Sequence, residues 1–255
     1  MTQNIAEILH RFEPITLGEM DSVKLMDRTD TKYTFRLELL PAFMATMKES
    51  YRVLDVNGHR ISRYESLYFD TKDFALYKHH LKGKLNRYKI RFRTYVESNL
   101  HFFEIKFKNN KGRTIKNRIE HQYTENKIDE TAEQFLIKNS PIDPGSLEHK
   151  FNVGFSRITF VNRFAPERVT IDMKLTFSNP NDSKQMENLV IAEVKQANPF
   201  VSAFVRTMKD HHIRQGALSK YCYGVINLCN QERFNNFKPQ LLLLNKLIYD
   251  PVTRS

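Results

Sequence analysis

The 255-residue sequence predicts an α+β fold built on a large antiparallel sheet. Segment after segment alternates apolar with charged residues at a period of two, the signature of strands with one dry and one wet side. Shorter stretches between them carry apolar residues at helical spacing. No Gly/Ser linker, low-complexity tract or internal repeat interrupts the chain, so a single domain over residues 1–255 is expected.

The elements follow in order. The opening MTQNIAEILHRFEPITL is amphipathic and places Glu7 and His10 where a signal peptide needs an unbroken apolar core. In the first strand Asp30, Lys32, Thr34 and Arg36 share one face, and Tyr33 and Phe35 the other. A helix is predicted over Leu37–Tyr51 from Leu39, Leu40, Phe43, Met44 and Met47. SLYFDT (66–71) reads as a strand, Lys72–Leu81 as a helix, and NRYKIRFRTY (86–95) as a strand lining up Arg87, Lys89, Arg91 and Arg93. HFFEIKFK then sets Glu104, Lys106 and Lys108 against Phe103, Ile105 and Phe107. The turn NNKG (109–112) predicts a hairpin into a strand with Thr114, Lys116, Arg118 and Glu120 together. After a helix over Ile128–Lys138, RVTIDMKLTF sets Arg168, Thr170, Asp172 and Lys174 against Val169, Ile171, Met173 and Leu175. VIAEVK sets Glu193 and Lys195 against Val190, Ala192 and Val194. Helical spacing returns over Ser202–Cys229 and in the tail Pro239–Tyr249.

Lys and Arg number 40 against 29 Asp and Glu, a net charge of +11, which calls for an anionic partner: nucleic acid, an acidic membrane surface or a phosphorylated molecule. Nucleic acid is not expected, because the aromatics fall mostly on the faces opposite the cations, where they suit a core better than a base-stacking platform. The two cysteines, Cys222 and Cys229, lie seven apart in a helical stretch, too far for a disulfide, which implies a reducing compartment. The longest apolar run, Leu241–Leu244, is far below a membrane span, so a cytoplasmic location is expected.

A wet sheet face is ordinarily mixed in character. Here Arg and Lys recur on strand after strand, and like charges on neighbouring strands repel unless an anion lies between them. If the sheet closes into a barrel, that face becomes a lumen for a multiply charged anion.

The runs DTKY (30–33), SLYFDT (66–71), RYKIRFR (87–93), FEIKFK (103–108), NRF (162–164), RVTID (168–172), EVK (193–195) and SKY (219–221), in this order, resemble the catalytic domain of the vacuolar transporter chaperone complex. That domain is a polyphosphate polymerase within the triphosphate tunnel metalloenzymes, the CYTH-like superfamily. The likeness spans a core of about residues 24–230 and implies an antiparallel β-barrel, the triphosphate tunnel, with helices packed outside. It implies ATP and inorganic polyphosphate or triphosphate as partners, transfer of the γ-phosphoryl group to a growing chain, and Mn²⁺ or Mg²⁺ as cofactor. Carried over by motif, the catalytic residues would be Lys32, Arg91, Arg93, Lys106 and Lys220. Arg163 and Lys195 would bind substrate, joined by Ser219, Arg168, Lys116 and Arg118, and Glu193 would bind the metal. Glu104, Asp172 and Asp30 stay open between metal helpers and counter-ions to the cations. His79, His80, His211 and His212 lack metal-ligand spacing and receive no role. Hydrolytic and cyclase members open on an E-x-E-x-K strand, whereas Arg28, Asp30 and Lys32 stand here, which favours the polymerase branch over the hydrolases. A triphosphatase and a non-catalytic polyphosphate-binding module remain the alternatives.

Overall fold

The computed structural model describes residues 2–22, 28–121, 126–216, 218–229 and 237–249. Twelve strands form one sheet. They are β1 (Pro14–Ile15), β2 (Thr29–Arg36), β3 (Tyr51–Leu54), β4 (Ser62–Thr71), β5 (Arg87–Tyr95), β6 (Leu100–Lys108), β7 (Thr114–Glu120), β8 (Leu147–Asn162), β9 (Glu167–Ser178), β10 (Ser183–Met186), β11 (Leu189–Gln196) and β12 (Gln215–Gly216). The path runs β12-β2-β11-β9-β8-β4-β5-β6-β7, with β3 and β10 attached to β8 and β9 and β1 to β3. Every pairing is antiparallel except β1 with β3. The helices are α1 (Thr2–His10), α2 (Leu17–Ser22), α3 (Leu40–Met47), α4 (Ala75–Leu81), α5 (Glu130–Asn139), α6 (Ala203–Asp210), α7 (Lys220–Leu228) and α8 (Lys238–Tyr249). None among the described residues is long and apolar enough to cross a membrane.

The period-two pattern decides which face is buried. Tyr33, Phe35, Val190, Ala192 and Val194 turn outward into a core with α1, α3 and α6. Ile90, Phe92, Phe103 and Ile105 turn outward beneath Ala132 and Leu136 of α5. Each fully buried side chain of this size contributes roughly 1.5–3 kcal/mol, which fixes the strand register and leaves the charged residues on the other side.

Three expectations need correction. The helix over Leu37–Tyr51 begins as a 3-10 turn at Leu37–Leu39 and ends early, because Tyr51 opens β3. The stretch Ser202–Cys229 is two helices, each with its own cap: the Ser202 and Ser219 hydroxyls accept from the Val205 and Cys222 amides, and β12 lies between them. The alternation along β9 breaks after Asp172: a bulge with Lys174 at φ 52° turns that lysine out to solvent, so Leu175 and Phe177 join the same face as Asp172. No disulfide joins Cys222 to Cys229.

Among the described residues no hydrogen-bonded pairing joins the two ends of the strand path. Among the described residues β7 and β12 stand at the two ends of the path. The sheet nevertheless curls strongly. Six pairings separate β2 from β6, which would place them about 29 Å apart in a flat sheet. Yet Lys106 on β6 lies within the field of Lys32 on β2 and Glu193 on β11. Likewise the adjacent residues Ser219 and Lys220 reach β5 and β9 respectively. The charged face is therefore the inside of a deep trough.

One end of this trough is apolar. Tyr68, Phe151, Val153, Leu175 and Phe177 are covered by α7, with Leu244 of α8 in the same core. Gly224 makes the fit possible, since a Cβ there would clash with the Phe151 ring. The N-terminus of α7 thus meets the charges at the edge of the plug.

Candidate phosphate-binding site

Arg91 is the best-anchored cation. Its Nε and Nη2 donate to Glu104 Oε2 at 2.8 and 2.6 Å, and Nη1 donates to the Tyr68 hydroxyl at 2.9 Å. Lys116 on β7 pairs with the other oxygen of Glu104, whose side chain is 1% exposed. Burial opposes ionisation of Glu104, but Arg91, Arg93 and Lys116 outweigh it and bring its pKa to about 2. Arg93 packs its guanidinium beside the Tyr64 and Phe155 rings and donates to Ser66 Oγ at 3.2 Å.

A second ionic group forms around Asp172. Arg157 grips it as a fork, Nε to Oδ1 at 2.5 Å and Nη2 to Oδ2 at 2.8 Å, and Lys220 Nζ donates to Oδ2 at 2.5 Å. Burial again opposes the charge, yet Arg157 and Lys220 hold the Asp172 pKa at about 2. The third group is Glu193, whose Oε1 accepts from Lys32 at 2.8 Å and lies 3.8 Å from Lys195 Nζ. Its carboxyl is held well below the usual range: burial is outweighed by Lys195, Lys32 and Arg157. Arg168, across from Lys195 on β9, has its pKa lowered by burial and by the charges of Arg28 and Arg157.

Lys106 is different. It is accessible to water, yet protein surrounds it, and Lys89, Arg91 and Lys32 crowd it, with Glu193 compensating in part. Burial and these like charges lower its pKa to about 7. Lys116, desolvated though paired with Glu104, falls to about 8. A site that protonates its lysines only at a cost lacks negative charge, and a phosphate chain would supply it.

The trough brings together Lys32, Arg91, Arg93, Lys106, Lys116, Arg118, Arg168, Glu193, Lys195, Ser219 and Lys220. Arg163 is not among them. The Asn162 side chain accepts from the Phe164 amide and donates to buried Glu167, and this tight turn sends Arg163 to Glu13 at 2.5 Å. Glu104 pairs with Arg91 and Lys116, and Asp172 with Arg157 and Lys220. Asp30 accepts from Arg28 at 3.1 Å.

Sequence reasoning missed Arg157, set among Phe155, Ile158 and Phe160 in FSRITF, where its buried partner Asp172 accounts for it. It also left Lys89 without a role, although Lys89 shares the face of Arg91 and donates to Ser219 Oγ at 2.9 Å. The expected separation of aromatics from cations holds for the outer cores but not within the trough, where Tyr64, Tyr68, Phe151 and Phe155 share the cationic face. Asp70 is a clamp: its carboxylate caps α4 through the Leu76 and Tyr77 amides, both at 2.9 Å, and accepts from Tyr221, which anchors α7 next to Lys220.

For a divalent ion, Glu193 offers hard oxygen donors of the kind Mg²⁺ and Mn²⁺ accept. Among the described residues no three His, Cys, Asp or Glu side chains converge into a metal cage. The residues thus fit an ion that arrives bound to phosphates and takes one protein carboxylate.

A model of the VTC domain matches residues 27–229. No curated protein matches the sequence. Similar solved structures include a protein provisionally called an adenylate cyclase from Vibrio parahaemolyticus, 12% identical over 77% of this chain and 97% of that one, TM-score 0.47. Another is a Hippeastrum protein first taken for an adenylyl cyclase, for which a dominant triphosphatase activity is described, 13% identical over 77% and 95%, TM-score 0.47. A third comes from Pyrococcus horikoshii, 11% identical over 79% and 98%, TM-score 0.46.

Proposed function

The chain belongs to the VTC domain family, and from that premise we propose that it is an ATP-dependent polyphosphate polymerase. In this reading the γ-phosphoryl group leaves the bridging oxygen of ADP and bonds to a terminal oxygen of the polyphosphate chain. The trough holds donor and acceptor in line, and its cations meet the charge that builds on the transferring group. Arg91 and Arg157, oriented by Glu104 and Asp172, have N–H donors left over for phosphate oxygens, while Lys32, Lys89, Lys106 and Lys220 act as point charges. The N-terminus of α7 adds its partial positive charge beside Lys220. Glu193 would hold Mg²⁺ or Mn²⁺, which neutralises charge on the phosphate oxygens when bound.

One observation carries the choice of transfer over hydrolysis. Hydrolysis is helped by a free carboxylate that takes a proton from water, and Glu104, paired with Arg91 and Lys116, and Asp172, paired with Arg157 and Lys220, are poorly placed for that. A terminal phosphate oxygen is already anionic and needs no base.

Incubation of the purified protein with ATP and Mn²⁺, with products resolved on a gel, tests the proposal. A ladder longer than triphosphate, together with ADP, is expected. Free phosphate without chain growth would make the protein a triphosphatase. No turnover with retained tripolyphosphate binding would make it a binding module.

A further inference from the structure

Most aromatic side chains on the inner face are sealed: Tyr64, Tyr68, Phe151 and Phe155 are all buried. Two are not. Tyr95 at the end of β5 and Phe102 near the start of β6 are half-exposed, and they meet edge to face at 5.6 Å. Both share the cationic face, because Phe102 lies opposite Arg93 and one alternate position from Glu104, while Tyr95 is two residues from Arg93. Over the Phe102 ring, at 4.4 Å, lies the guanidinium of Arg118 from β7, itself exposed. The trough away from the α7 plug therefore ends in a ledge of two accessible rings and one flat cation.

Such a ledge suits neither phosphate alone nor a protein core. An aromatic face with a planar guanidinium is the surface on which a nucleobase stacks, in a manner tolerant of base identity. Its distance from the phosphate cations also fits. Arg91, paired with Glu104, lies two residues, about 7 Å, further along the strands than Arg93 and Phe102. A base on the ledge would send its triphosphate past Arg93 toward Arg91, Lys106 and the N-terminus of α7. We propose that Phe102, Tyr95 and Arg118 form a stacking subsite for the nucleobase of the phosphoryl donor, so that Arg118 serves the base rather than the phosphates. This rests on the reading of the trough as a nucleoside-triphosphate site.

Calorimetric titration with ATP and with inorganic tripolyphosphate, at one fixed salt concentration and without divalent ion, tests it. The Phe102→Leu variant should weaken ATP binding about tenfold while leaving tripolyphosphate within about twofold of wild type, since only ATP carries a base. Equal losses for both ligands, or no loss for ATP, would overturn the subsite. If Phe102→Leu does not fold, Arg118→Gln at an exposed position carries the same comparison. A loss of tripolyphosphate affinity as large as that of ATP would return Arg118 to the phosphates and refute the ledge. The measurement involves no turnover, so absence of chain synthesis by the wild type would count against the polymerase and leave this test intact.

Discussion

At one end of the trough Phe151, Val153, Leu175 and Phe177 lie sealed beneath α7, while a few residues along the same strands Arg91, Arg157, Asp172 and Glu193 gather around an accessible lumen. The strands, twist and pairing are common to both ends. What differs is the covering. At the sealed end a helix and aromatic rings replace water, and the energy is that of packing. At the charged end cations outnumber carboxylates, so the protein alone leaves repulsion that an anion would relieve. Helix α7 belongs to both: its body plugs, and its first residues, Ser219 and Lys220, hold Lys89 and Asp172.

The largest effect should come where the two ends join. Replacing Lys220 by Ala removes one cation from the reacting centre, and Asp172 keeps Arg157 as its partner, so the fold should survive. Chain synthesis is expected to fall about 100- to 1,000-fold in kcat, measured by ADP release. A loss of stability in urea with kcat unchanged would mean that Lys220 only secures the plug. The converse variant attacks the seal. Gly224→Ala drives a methyl group into Phe151 and should lower unfolding free energy by about 3 kcal/mol, read from urea denaturation.

Next in size is stabilisation by a bound anion. Tripolyphosphate at about 100 times its Kd should add about 2.7 kcal/mol, seen as a rise in Tm. Arg91→Ala should reduce that rise, whereas Lys209→Ala, on α6 outside the trough, should not. The smallest effect is that of pH. Burial depresses the Lys106 and Lys116 pKa values to about 7 and about 8, so these lysines are charged below that window and neutral above it. Bound phosphate favours their protonated forms. Tripolyphosphate affinity should therefore fall severalfold as pH rises through this window, and binding at neutral pH should take up protons. Flat affinity across it would place both amines away from the ligand.

Much of this division was legible in the sequence. Wherever a strand is covered on one side only, as at Asp30–Arg36 or Val190–Lys195, period-two alternation names both the buried and the charged face. It fails where the backbone departs from regular pairing. The bulge at Lys174 reverses the faces of Leu175 and Phe177, and no residue type in KLTF announces it. Arg157 was obscured because its neighbours Phe155, Ile158 and Phe160 read as core, and its partner Asp172 lies on another strand. Arg163 was misplaced because a local turn, held by the Asn162 side chain, overrides strand alternation. Barrel closure depends on how far a sheet curls, which alternation does not encode.

The inward convergence of the cations is tested most directly by a crystal structure with tripolyphosphate bound. Its phosphates are expected inside the trough, in contact with Arg91, Arg157, Lys106 and Lys220, with Glu193 beside them. Tripolyphosphate found on the outer surface, with those side chains still joined only to Glu104, Asp172 and one another, would contradict it.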